Sequence, residues 1–335
     1  MLIAAALLAL VSAGAAAQAN CTSAASTDCF LAFTPPGAAG PMHYYASRTP
    51  DAPAPGSAPT AVLVALHGHS RDANKTFDAA LLAARRAGML EHTLIVAPLF
   101  QVASRAAAKC ETAGVPEAQP GDLLWTCSSW AAGADADDGS GPGSFAAMDA
   151  LIAELARQWP SLHSITIAGF SAGAQLVQRY VGFAAPPPTG TTLRYVVADP
   201  GSWFYFDPVR VLPVSAARCP AVNRWKYGVE GLPVTLGANA AQARARYAEA
   251  DISYIEGELD DSDARGTAYR VLDKSCAANA QGLFRLQRGL AYAAYDRRWL
   301  APGKQRRVAI APGCGHDVAC VFQSDEARAA LFGRP

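Results

Sequence analysis

Three residues in this chain have the types and settings that acyl-transfer chemistry needs. Ser171 lies in Gly169-Phe170-Ser171-Ala172-Gly173, flanked by residues small enough for a cramped turn. A serine hydroxyl is a poor nucleophile until a base takes its proton as it attacks. An imidazole does this near neutral pH, and His316 stands on a loop of small residues, Gly313-Cys314-Gly315-His316-Asp317. A buried carboxylate completes the set by holding the imidazole in its useful tautomer and stabilising the imidazolium. Asp260 is the first choice for that carboxylate, three residues after Gly257 and just past a strand. Asp261 and Asp263 crowd the same loop, and Asp199 ends the preceding strand as an outsider. The competing reading is a glycine-rich turn with a passive serine and a histidine that merely packs. That second role suits His43, His92 and His163 better than His316.

The elements that must position these residues are legible from pattern. Residues 164–170 open short and apolar, as a buried strand does, and Ala174, Leu176, Val177, Tyr180 and Val181 then recur at helical spacing. Strand, G-x-S-x-G turn, helix is the context that puts a serine at the tip of a strand. The helix starting past Ser171 aims free N–H groups at the reacting centre. Two opening strands are expected over 28–34 and 42–47, and a Pro/Ala/Gly/Ser loop over 50–59. AVLVAL (61–66) and TLIVA (93–97) flank a helix near 76–88, with Leu81, Leu82, Ala83 and Met89 on its apolar side. That spacing implies a parallel pair with a right-handed crossover.

Residues 99–144 form a long stretch without periodicity, rich in Gly, Asp and Trp. Ser144 is expected to cap a helix whose apolar face carries Phe145, Met148, Leu151, Ile152, Leu155 and Trp159. Further strands are expected over 193–198, 252–255 and 307–311, helices over 277–299 and 324–331, and mostly irregular chain over 203–250. Strands alternating with helices, without internal repeat, give an α/β class with a mostly parallel sheet. Functional residues then belong at the carboxyl ends of the strands.

The 335 residues are 51% hydrophobic and 17% charged with zero formal net charge, which excludes disorder and predicts a sizeable core. Dispersed charge argues against nucleic-acid binding, which needs a basic face. Residues 2–11 form an apolar run followed by Ala17-Gln18-Ala19, a small-x-small cleavage site. Residues 1–19 therefore read as a signal peptide, although the usual basic start is missing. An uncleaved anchor is the alternative, and the run is short for a span. Residues 20–335 then form one catalytic domain, secreted or periplasmic, with no membrane association after cleavage. Nothing in the pattern specifies an oligomer.

Eight cysteines behind a signal peptide imply disulfides. About a hundred pairings are possible. The simplest is sequential: Cys21–Cys29, Cys110–Cys127, Cys219–Cys276 and Cys314–Cys320. Structural zinc is the competitor, and no C-x-x-C pair supports it.

His67-Gly68-His69 follows the first buried strand. Backbone N–H groups at His69 and Ala172 are placed to form an oxyanion hole. A metal on His67 and His69 lacks acidic or cysteine partners. Asp135, Asp137 and Asp138 hint at calcium, but Gly139 stands where an EF-type loop needs a ligand. Trp125, Trp130, Trp203, Phe204 and Tyr205 lie in loops near strand ends. They line a substrate pocket on one reading and pack ordinarily on the other.

Taken together, ALHGHS (65–70), GFSAG (169–173), GELD (257–260) and GCGHD (313–317), in the order Ser, acid, His, resemble a secreted serine esterase of the α/β-hydrolase superfamily. The resemblance runs from Ala61 through His316 and is greatest to the polyhydroxyalkanoate-depolymerase and feruloyl-esterase type. It implies an α/β-hydrolase fold, a mostly parallel sheet flanked by helices on both faces, and no cofactor. The implied activity is ester cleavage through an acyl-enzyme: Ser171 attacks, His316 shuttles the proton, Asp260 orients it. The implied substrate is a short-chain, aromatic or polymeric ester. The alternatives are a peptidase or amidase using the same three residues, and a binding protein on a hydrolase scaffold.

Overall fold

A computed structural model describes residues 21–50, 58–136, 139, 141–210, 212 and 217–333. The signal peptide expected over 1–19, most of the loop expected over 50–59, and Asp137 and Asp138 of the calcium reading lie outside the described residues. The chain opens with β1 (Phe30–Phe33) and β2 (Met42–Ala46), then β3 (Ala61–Leu66), α1 (Ala73–Arg86) and β4 (Thr93–Leu99). The long segment that follows carries a short turn of helix, α2 (Ser104–Ala107), and a 3-10 turn over Trp130–Ala132 before α3 (Ser144–Gln158). Next come β5 (Ser164–Phe170), α4 (Ala172–Tyr180), β6 (Thr192–Ala198), α5 (Ala240–Glu249) and β7 (Asp251–Gly257). The chain continues through α6 (Cys276–Asn279), α7 (Arg285–Tyr295), β8 (Val308–Ala311), α8 (Val318–Phe322) and α9 (Asp325–Phe332).

All these strands join one eight-stranded sheet in the order β1-β2-β4-β3-β5-β6-β7-β8. β1 and β2 pair antiparallel, as does β2 with β4, and every later pair is parallel. The cause is visible in the strands. Residues of β3 alternate between two cores, Val62, Val64 and Leu66 on one face and Leu63 and Ala65 on the other. The first core takes Met148, Leu151 and Leu155 from α3 and Leu176 and Val177 from α4. The second takes Phe77, Ala80 and Leu81 from α1 and Val321, Phe322 and Leu331 from α8 and α9. A strand apolar on both sides is what a sheet covered on both faces requires.

Several expected elements change. Ser144 is the first helical residue, and Gly143 occupies the cap; the buried Ser144 hydroxyl donates to the Trp130 carbonyl at 2.7 Å. The helix expected over 277–299 is broken after α6, where Gly282 takes φ 139°, and α7 ends in a π-helical turn over Asp296–Leu300. Within the supposedly irregular 203–250, Asn239 and Gln242 form a reciprocal capping box that starts α5. Leu82, placed on the apolar side of α1, is 39% exposed.

The four disulfides pair sequentially, Cys21–Cys29, Cys110–Cys127, Cys219–Cys276 and Cys314–Cys320. Cys219–Cys276 spans 57 residues and Cys314–Cys320 spans 6. Loop-closure entropy makes the first worth about 4 kcal/mol and the second about 2 kcal/mol. Replacing Cys219 and Cys276 by alanine is therefore expected to lower the calorimetric unfolding midpoint further than replacing Cys314 and Cys320. An equal or reversed order would show that native packing, not chain entropy, governs these bonds. No helix among the described residues is long and apolar enough to cross a membrane.

Candidate active site

Ser171 stands between the end of β5 and the start of α4 with φ 59° and ψ −117°, a conformation that non-glycine residues rarely hold. Its neighbours explain how the turn closes. A Cβ on Gly169 would lie 2.3 Å from the Gly173 carbonyl group, and one on Gly173 would lie 2.4 Å from the Leu66 oxygen. Both positions must be glycine because the first turn of α4 presses on β5 and on the end of β3.

The structure brings Ser171, His316 and Asp260 into one hydrogen-bonded line. The Ser171 hydroxyl lies 2.8 Å from His316 Nε2, and Asp260 Oδ2 lies 2.7 Å from His316 Nδ1. An ionised carboxylate only accepts, so Nδ1 carries the proton and Nε2 is free to take the serine's. Asp261 and Asp263 are exposed, which leaves Asp260 as the carboxylate on the imidazole. Burial pushes the His316 imidazole below its ordinary range, while its bond to Asp260 pushes back up. The net effect favours the neutral, proton-accepting form of the ring.

Two amides near this line are without partners among the described residues. Neither the His69 nor the Ala172 N–H donates to another described residue. The Gly68 amide is taken by Asp72 Oδ1 at 2.8 Å. That bond ties the turn after β3 to the start of α1. The backbone carbonyl of Gly68 accepts from His67 Nδ1 at 2.8 Å, and His67 Nε2 accepts from the Phe100 amide at 3.2 Å. With both ring nitrogens engaged and burial pushing its pKa down to about 4, His67 is a neutral strut and not a metal ligand.

Trp125, Trp130, Trp203 and Tyr205 do not line the site. Each is at most 1% exposed. Trp130 stacks on Phe100 with ring centroids 5.1 Å apart and contacts His67 at 4.6 Å, while Trp203 stacks on Tyr292 at 4.4 Å. They fill the core under the site, because rings this large contribute most when fully buried. The cavity over Ser171, about 480 Å³, is lined instead by His69, Asp72, Leu82, Phe170, Val271 and His316, among others.

Sequence reasoning missed the ionic floor beneath the carboxylate. Arg285, at the start of α7 and 2% exposed, donates to Asp260 Oδ1 at 3.2 Å and to the Thr267 carbonyl at 2.6 Å. Asp199 and Asp260 oxygens and a His316 ring nitrogen lie within 4.8 Å of one another. Asp199 Oδ1 accepts the Gly257 amide at 2.8 Å. Asp199 Oδ2 and both Glu256 oxygens, all fully buried, have no hydrogen-bond partner among the described residues. Burial pushes Asp199 up to about 7 and Glu256 well above its usual range, and the neighbouring carboxyl groups, Asp260 for the first and Asp199 for the second, add to the shift. A lone arginine or glutamate in an amphipathic segment reads as solvated, so no local signal marked them.

About nine-tenths of the chain superposes on solved hydrolases. Against the poly(aspartic acid) hydrolase-1 of Sphingomonas sp. KT-1 the TM-score is 0.61 at 20% identity, over 90% of this chain and 97% of that one. Against LpqC, a poly(3-hydroxybutyrate) depolymerase from Bordetella parapertussis, it is 0.58 at 20% identity, over 88% and 87%. The fold is that of the α/β-hydrolases. The siderophore hydrolase EstB from Aspergillus nidulans also matches, at TM-score 0.50 and 10% identity over 93% and 97%. No protein-family model and no curated protein sequence matches the chain. Within the α/β-hydrolase fold, Ser171, Asp260 and His316 sit past the carboxyl ends of β5, β7 and β8, where parallel sheets of this kind place their ligand sites.

Proposed function

We propose that this protein is a secreted serine hydrolase that cleaves carboxylic esters through an acyl-enzyme. The observation that carries the reading is the Asp260–His316–Ser171 line, with bonds of 2.7 and 2.8 Å, beside the unpartnered amides of His69 and Ala172. Ser171 Oγ attacks the ester carbonyl as His316 Nε2 takes its proton. The carbonyl oxygen, now negative, accepts hydrogen bonds from the His69 and Ala172 amides, which are already oriented and pay no reorganisation cost. His316 returns the proton to the leaving alcohol, then activates the water that releases the acid. Asp260 keeps the ring in the tautomer that both half-reactions use. Four disulfides support an oxidising compartment, and with it secretion or a periplasmic location.

The mouth supports a neutral, partly apolar substrate. Leu82 and Val271 stand on its rim at 39% and 71% exposed, and Phe170 lines its wall. Asp72, Asp78 and Asp317 line it against a single lysine, Lys75. Such charge disfavours a polyanion such as the poly(aspartic acid) named for one structural neighbour, and favours a polyester of the kind named for the other. Hydrolysis of p-nitrophenyl esters from acetate to palmitate tests the activity and sizes the acyl site. Turnover of amides and not esters would move the reading to an amidase, and no turnover of either by the folded protein would leave a binding role. Leu82→Asp is expected to lower kcat/KM for the longer acyl chains roughly tenfold, through KM, with little change on acetate. An equal loss on every ester would place Leu82 outside the acyl site.

A further inference from the structure

We propose that Arg285 is a positioning residue for Asp260 and His316, and that its charge sets the pH at which the pair becomes competent. The inference rests on the active-site reading above and extends it to a residue that touches no substrate. Its geometry is that of a clamp. One guanidinium nitrogen reaches both Asp260 Oδ1 at 3.2 Å and the Thr267 carbonyl at 2.6 Å, two separate points of the loop after β7. Gly266, within that loop, accepts the His316 amide at 2.8 Å, and the Leu286 amide holds the Asp260 carbonyl at 3.2 Å. Arg285 therefore secures the carboxylate, the loop that carries it and, through Gly266, the backbone of the base.

The electrostatic consequence has a definite sign. Adding a proton to the Asp260–His316 pair adds a positive charge beside a buried cation, which Arg285 disfavours whichever atom receives it. Loss of the cation must raise the apparent pKa of the pair. The other groups facing it push the opposite way or are unaltered by the change. Asp72 lies across the mouth, Asp317 follows His316, and Asp199 and Glu256 are buried on the side of Asp260. Lys75 is exposed at the rim. Arg285 is the cation buried against Asp260.

The test compares pH profiles of kcat/KM for p-nitrophenyl acetate in wild type, Arg285→Met and Arg285→Lys. The acid limb of Arg285→Met is expected to move up by about one pH unit, so that its loss grows about tenfold further between pH 8 and pH 5. Arg285→Lys keeps the charge and is expected to return the limb toward wild type while retaining part of the rate loss. A uniform rate loss at every pH, with an unmoved limb, would reduce Arg285 to a structural strut and overturn the proposal, as would an unchanged profile. NMR titration of the His316 imidazole, assigned by comparison with His316→Gln, gives the same shift without turnover. If the wild type cleaves no ester, the active-site reading fails while this titration still decides the role of Arg285. If Arg285→Met does not fold, Arg285→Gln and Arg285→Lys carry the same comparison.

Discussion

Replacing Ser171 by alanine is expected to lower kcat for ester hydrolysis by on the order of 10⁴-fold or more, with the fold intact. The size follows from what disappears. Without Oγ there is no acyl-enzyme, and the remaining groups can only polarise a carbonyl and assist water. The His69 and Ala172 amides remain, so a small residual rate over water remains too. The fold survives because alanine keeps the Cβ and takes the Ser171 backbone conformation as serine does, while the glycines at 169 and 173 that allow the close approach are unchanged. Circular dichroism and calorimetry establish folding, and steady-state kinetics give the loss. Retention of more than a few per cent of the activity would remove Ser171 as the nucleophile.

Asp260→Asn is expected to cost roughly 10⁴-fold in kcat, comparable to the loss of the nucleophile, although the substitution changes one atom type. Asp260 Oδ2 accepts from His316 Nδ1 at 2.7 Å. An asparagine can present its amide N–H there, which selects the tautomer with Nε2 protonated. Nε2 then donates to Ser171 and cannot take its proton. The change also leaves the buried Arg285 without its countercharge. Asp261→Asn and Asp263→Asn are the matching controls: both side chains are exposed, and each variant is expected to stay within about twofold of wild type. Activity of Asp260→Asn near wild type, measured across pH, would mean that another carboxylate orients the ring.

How far the sequence revealed the molecule depended on where the determining contacts lie. β3, β4, β5 and β6 were legible because burial on both faces demands short, continuous apolar runs. The turn around Ser171 was legible because close backbone approach admits only glycine at 169 and 173. The sequence ranks Asp260 first but does not separate it from Asp261, Asp263 and Asp199, since only the third dimension turns one of them toward His316. Trp125, Trp130, Trp203 and Tyr205 misled for a related reason. Aromatics in loops near strand ends signal a pocket or a core equally, and here the loops fold back so that the rings seal the core. Arg285 and Glu256 had no local signature, because burial of a charge is a property of its partners. The start of α5 did have one, the Asn239-to-Gln242 capping box, lost within a stretch otherwise poor in pattern.

The measurement that bears most directly on the central claim is covalent trapping. The mature protein is incubated with a fluorophosphonate ester, digested and mapped by mass spectrometry, beside Ser171→Ala. One adduct per chain is expected, on Ser171, formed faster as pH rises through the His316 midpoint and absent from the variant. A folded wild type that forms no adduct, or forms it on another residue, would contradict the account.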